Sequence, residues 1–278
     1  MHIYKIYMVD ETRQEKIVKQ VRAFGTGAAV IVPKYWIGER VEISVKTIPW
    51  KQELIKLILP YLDKIKGVYL IGSYARGEEK ADSDIDILIV AEEQLKIESK
   101  RFHISILTSE NLDKRSFLKI FLYAALLEAK TILNASLLQE LKQKAKPCYK
   151  EVKDYLYTTK LGINSIDSLI SIDKSEESKY FTSMGVIYSI ILRLRGLFIL
   201  KNSLKGRATS LKEFRKELIN KGISKNILEE FYGVYLKEKK DMKIGQKKIL
   251  LKDVEKIMNI LKKWYEQRNK ELKLWKKE

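Results

Sequence analysis

The sequence predicts an α+β fold: a small mixed sheet with helices, an N-terminal β-hairpin module and a C-terminal helical bundle. Three observations predict it. Residues 1–46 show short β-branched stretches broken by glycine and proline. Residues 47–146 alternate short apolar strands with helical patterns. Residues 147–278 carry helical spacing almost throughout. A chain of 278 residues fits two domains, or one large domain with an appendage, and the pattern divides it at these boundaries.

The first segment alternates apolar and polar residues around Ile3, Tyr4, Ile6 and Tyr7, then around Ile17, Val18 and Val21. A bend at Gly25-Thr26-Gly27 precedes the run Val30-Ile31-Val32, Pro33 and a closing stretch from Val41 to Val45. Forty-odd residues bury too little to stand alone, so this segment is expected to pair with something. Its Gly25-x-Gly27 bend, strand, Pro33-Lys34-x-Trp36-Ile37-Gly38 and closing strand resemble the swapped-hairpin AbrB-like domains. That resemblance implies a homodimer and DNA as a partner. The alternative is a hairpin that packs on the rest of the chain.

Thr47-Ile48-Pro49 reads as a junction, and Pro49 fits just ahead of a helix. Leu54, Ile55, Leu57, Ile58, Tyr61, Leu62 and Ile65 recur at helical spacing. Strands follow at Gly67 to Ile71, Ile85 to Val90 and Phe102 to Leu107. An apolar helix spans Phe117 to Ala129, a last strand Lys130 to Leu133, and a helix starts near Ser136. In the third segment, helices are expected over about Tyr149 to Ser171, Lys179 to Leu200, Ser210 to Lys221, Asn226 to Lys239 and Leu251 to Trp275. The loops between them carry Gly206, Gly222 and Gly245.

Hydrophobic residues make up 45% and charged residues 32%, which is enough apolar material for a core and argues against a disordered chain. The net charge of +18 points to an anionic partner, or to a lysine-rich surface of the thermophile kind. A single cysteine, Cys148, forbids an internal disulfide and fits a reducing cytoplasm. The N-terminus shows no secretory pattern, and the longest apolar stretch is too short for a membrane span. With only His2 and His103, histidine-rich zinc sites and Ser-His-Asp chemistry lack residues.

One stretch carries chemistry: Leu70-Ile71-Gly72-Ser73-Tyr74-Ala75-Arg76-Gly77-Glu78, then Ser83-Asp84-Ile85-Asp86-Ile87-Leu88-Ile89-Val90. A buried strand stops at Gly72, where the backbone must bend or meet a ligand closely. Ser73 opens a short helix, so free N–H groups and a hydroxyl gather at a point suited to phosphate, and Arg76 lies one turn on. Asp84 and Asp86, two apart, leave the same face of the next strand, while Ile85 turns to the core. Adjacent carboxylates repel unless a cation lies between them, and oxygen ligands suit Mg²⁺.

Gly-Ser, ten residues, then Asp-x-Asp resembles the signature of the DNA polymerase beta-type nucleotidyltransferases. The Gly-Ser-x-Ala-Arg-Gly form is most similar to the MNT and kanamycin nucleotidyltransferase-like groups. The resemblance implies transfer of a nucleoside monophosphate from an NTP, with ATP the expected donor, to an acceptor hydroxyl. It implies Asp84 and Asp86 as catalytic metal ligands, and Gly72, Ser73 and Arg76 as nucleotide-binding residues. The acceptor is open: a small molecule, a protein or an RNA end all fit. No membrane partner is expected.

The family's third carboxylate has no counterpart on the strand Phe102 to Leu107, where the position falls to Ser105 or His103. Glu93 or Glu98 is a loop alternative. His103 is a candidate base, or a strand histidine that is packed or hydrogen-bonded. A low-turnover, antitoxin-like or regulatory nucleotide-binding protein is therefore the competing expectation. The helical segment loosely resembles HEPN-type bundles but lacks their Arg…His ribonuclease motif. Within it, Arg193 and Arg195 leave different helix faces, so one is expected at the cleft, as a triphosphate or acceptor clamp or as a seam ion pair with Asp or Glu.

Overall fold

The structure, a computed structural model, describes residues 17–25, 27–41, 49–79, 83–113, 118–239 and 249–275. The expectations at residues 3–7 and 42–48, at Thr26, and at Phe117 and Gly245 lie outside these. The chain divides into two compact units, Met1–Ile48 and Pro49–Glu278.

In the first unit, β1 (Arg22–Phe24) and β2 (Gly27–Ala29) form an antiparallel hairpin. Gly25 at φ 56° supplies the left-handed conformation a tight hairpin needs. The expected strand at Val30-Ile31-Val32 is not one. The register that pairs Arg22 with Ala29 would place Lys19 to Val21 opposite, and those residues are not in strand conformation. Pro33 instead leads into a 3₁₀ turn at Lys34–Trp36.

The second unit opens with α1 (Trp50–Ile58), preceded by Pro49. The helix does not run to Ile65 as its periodicity suggests. Pro60 lacks an N–H and ends it in a 3₁₀ turn over Leu59–Tyr61. Ile65 then begins β3 (Ile65–Ile71), which is followed by α2 (Gly72–Arg76), β4 (Ile85–Ala91) and β5 (Phe102–Leu107). Next come α3 (Ser109–Asp113), α4 (Leu118–Glu128), β6 (Lys130–Leu133) and α5 (Ala135–Lys144).

The four strands order as β5-β4-β3-β6. Strand β3 is antiparallel to β4 and β6, and β4 is parallel to β5, so the sheet is mixed. Period-two alternation sends Val68, Leu70, Ile85, Ile87 and Ile89 to one face, where Leu54 and Ile58 of α1 cover them. Tyr69, Leu88, Val90 and Leu107 take the other face, against Leu126 of α4 and Leu138 and Leu141 of α5. With both faces covered, the strands read as continuous apolar runs.

Helix α4 is apolar almost all round because it is buried on two sides. Tyr123 and Leu126 meet the sheet, whereas Ile120 joins the helical core. That core belongs to α6 (Tyr149–Ser175), α7 (Met184–Ser203), α8 (Leu211–Asn220), α9 (Lys225–Lys239) and α10 (Leu251–Trp275). Helix α7 starts later than its apolar pattern suggests. Tyr180–Phe181 forms a short strand, β7, antiparallel to β8 at Ile249–Leu250. Buried Asp173 fixes the approach by accepting from the Thr182 hydroxyl (2.7 Å) and amide (3.0 Å). No helix among the described residues is long and apolar enough to cross a membrane.

Candidate active site

Strand β3 delivers its last residue, Ile71, opposite Asp86 of β4. Gly72 then turns the chain at φ 71° into α2. A β-carbon on Gly72 would lie 2.1 Å from Asp86 Oδ2, so only glycine lets this backbone meet the carboxylate. Half-buried Ser73 follows at the head of α2. Gly72 and the second aspartate, fourteen residues apart in sequence, are thus adjacent.

Asp84 is exposed one residue before β4, and the Asp86 side chain is 33% exposed. Neither carboxylate is paired with a lysine or arginine among the described residues, although the chain carries +18 net charge. Two unneutralised carboxylates at the end of an apolar strand suit a hard divalent cation such as Mg²⁺.

His103 lies directly across from Asp86 in the parallel β4–β5 pair. Its Nδ1 is 3.2 Å from Asp86 Oδ1, and the side chain is 73% exposed. The histidine is therefore hydrogen-bonded and not packed. Ser105, two residues on, stands opposite Leu88, farther from the aspartates. Glu93 lies beyond the opposite end of β4 and pairs with Lys64 at 2.6 Å, which removes it as a substitute carboxylate. Glu98 is exposed in the loop between β4 and β5.

Arg76 is engaged. Its Nε donates to Glu78 Oε2 at 2.8 Å, and Nη1 donates to both oxygens of Glu128 at 2.8 and 2.7 Å. Glu128, only 8% exposed, also accepts the Gly72 N–H at 2.9 Å. Burial pushes the Glu128 carboxyl up against the pull of Arg76 and the Gly72 amide. Burial likewise pulls Arg76 down, but Glu128 and Glu78 outweigh it and raise the guanidinium. The short contacts to both carboxylate oxygens mark an ionised pair.

Glu78 reaches further. It accepts from Ser210 Oγ at 2.6 Å and from the amides of Leu211 and Lys212 at 3.2 and 3.3 Å, at the start of α8. Burial raises this carboxyl, yet the bond from Ser210, then those from Arg76, Leu211 and Lys212, hold it down at about 2. Sequence reasoning missed both glutamates. A signal existed for Glu128: a carboxylate closing an apolar helix opposes the helix dipole and needs a partner.

Of the two arginines on α7, Arg195 faces the seam between α2, α4 and the bundle. It helps line a cavity of about 240 Å³ together with Arg76, Glu128, Phe121, Phe198 and Phe214. Its Nη1 donates to Tyr235 Oη at 2.6 Å, and among the described residues no acid pairs with it. Arg193 packs on Gly162 of α6 and bonds Ser189, and its Nε has no hydrogen-bond partner among the described residues. Burial lowers its pKa.

Residues 53–153 match the polymerase beta nucleotidyltransferase family. No curated protein matches the chain significantly. Among solved structures, the nucleotidyltransferase-like protein from Exiguobacterium sibiricum 255-15 is similar at 11% identity. The match covers 79% of this chain and 76% of that one, with a TM-score of 0.32.

Proposed function

We propose, from the nucleotidyltransferase domain that residues 53–153 form, that the protein transfers a nucleoside monophosphate from an NTP to an acceptor hydroxyl. The observation that carries this reading is the contact between the Gly72 turn and Asp86, which joins the two halves of the motif at one point. Asp84 and Asp86 hold Mg²⁺ in this reading. Bound there, the metal supplies charge neutralisation to the triphosphate oxygens. The Gly72-Ser73 turn receives phosphate, with ATP as the expected donor. The acceptor oxygen bonds the α-phosphorus as the bond to pyrophosphate breaks, and the hydroxyl proton passes to water. Arg76 reaches a phosphate only by exchanging its carboxylate partners for it.

A second reading is a regulatory, antitoxin-like nucleotide-binding protein with little turnover. Two observations favour it. Glu128 holds both the Gly72 amide and Arg76, and no acid stands beside Asp86 on β5. On either reading, residues 1–46 are a proposed dimeric DNA-binding module, and the cytoplasm is the proposed setting.

Pyrophosphate release from each NTP with Mg²⁺ tests these readings, with Asp84→Asn and Asp86→Asn alongside. Turnover that falls at least about a hundredfold in either variant supports transfer. Mg²⁺-dependent nucleotide binding without pyrophosphate supports the regulatory reading. If no nucleotide binds, both fail.

A further inference from the structure

We propose that His103 is a third protein ligand of the divalent cation, joining Asp84 and Asp86, and that its imidazole shifts the site's preference from Mg²⁺ toward Mn²⁺. The inference rests on the metal-dependent reading above and extends it to a residue that reading does not use.

Strands β4 and β5 are parallel, and Asp86 and His103 are direct partners. Side chains of directly paired residues leave the same face of a sheet. On the neighbouring strand His103 is thus the nearest side chain to Asp86, and its Nδ1 sits 3.2 Å from Oδ1. Two ligands at right angles on one cation, each about 2.1 Å from it, stand about 3 Å apart. The observed separation is therefore the bite of adjacent metal ligands as well as of a hydrogen bond.

Exposure supports the same conclusion. His103 is 73% exposed, so its ring is not fixed by packing. Asp86 is its one charged partner among the described residues. Among the described residues no three such side chains stand together as an ion-holding group, so the structure supplies the Asp86–His103 pair and the third ligand must close on it. Asp84, exposed one residue before β4, joins the pair by a change of side-chain rotamer.

Ligand chemistry then sets the preference. Two carboxylates alone make an oxygen site fit for Mg²⁺. One imidazole nitrogen raises affinity for borderline first-row ions more than for Mg²⁺, because carboxylate and water suit Mg²⁺ and imidazole does not. Mn²⁺ accepts both donor types and reports its ligands through its unpaired electrons.

The test uses the full chain and Mn²⁺ alone, read by calorimetry and by electron spin-echo spectroscopy. Bound Mn²⁺ should show ¹⁴N modulation from a coordinated imidazole. His103→Gln should abolish that modulation and weaken Mn²⁺ by about tenfold or more, with Mg²⁺ changed much less. His103→Asp should also lose the modulation but bind Mg²⁺ more tightly than wild type. Mn²⁺ that binds, is lost in Asp86→Asn, yet shows no ¹⁴N modulation overturns the role of His103 and leaves the metal reading standing. A wild-type chain that binds no Mn²⁺ overturns both.

Discussion

Replacing Glu78 with glutamine removes the charge that links the motif turn to the helical bundle. In the folded protein this carboxyl titrates at about 2, against an ordinary value of 4.5. The side chain is 17% exposed, so solvent screens the interaction little. A depressed carboxyl contributes stability that is complete above the unfolded value and is lost as pH falls through the folded one. The difference of about 2.5 units corresponds to about 3 kcal/mol at pH 7. At pH 3 the unfolded carboxyl is already protonated while the folded one is not, and the contribution shrinks to about 1.5 kcal/mol. Urea unfolding of wild type and Glu78→Gln at both pH values measures the difference and cancels the titration of other carboxyls. A gap below about 0.5 kcal/mol at pH 7, or one that does not narrow at pH 3, would refute the assignment of this bond network as the cause.

Further expectations follow from single contacts. Gly72→Ala places a methyl 2.1 Å from the Asp86 carboxylate in a left-handed backbone. It should cost at least about 1–2 kcal/mol and abolish metal-dependent nucleotide binding, measured by thermal shift with and without ligand. Gly196→Ala drives its β-carbon to 1.8 Å from Tyr155 Oη between α7 and α6, and should destabilise by about 1–3 kcal/mol in urea melts. Asp173→Ala strips the Thr182 amide and hydroxyl of their acceptor, and should cost about 1–3 kcal/mol and loosen the β7–β8 pair in hydrogen exchange.

The core of this architecture was legible because its signals are local. Strand β5 and helix α10 stand where residue patterns place them, and Gly72 and Asp86 meet in space. Helix α1 is shorter than its apolar period, which continues past Pro60, where the missing N–H matters more than the pattern. The two-residue strand at Tyr180 was invisible because its partner lies seventy residues away at Leu250. Spacing alone points Arg76 at phosphate. Its partners Glu78 and Glu128 reveal themselves only once α4 and α8 pack beside α2. The hydrogen bond from His103 to Asp86 likewise depends on a parallel register that no single strand encodes.

The bonds from Ser210, Leu211 and Lys212 to Glu78 span 132 to 134 residues. On a ribosome the sheet strands and the Gly72 turn emerge long before α8 exists. Until residue 212 has left the exit tunnel, Glu78 has no helix start to bind, and Arg76 shares only the partners already made. The motif region therefore reaches its final hydrogen bonding late in synthesis. A nascent chain truncated before α8 would carry the turn and both aspartates without the anchor that holds the adjoining loop.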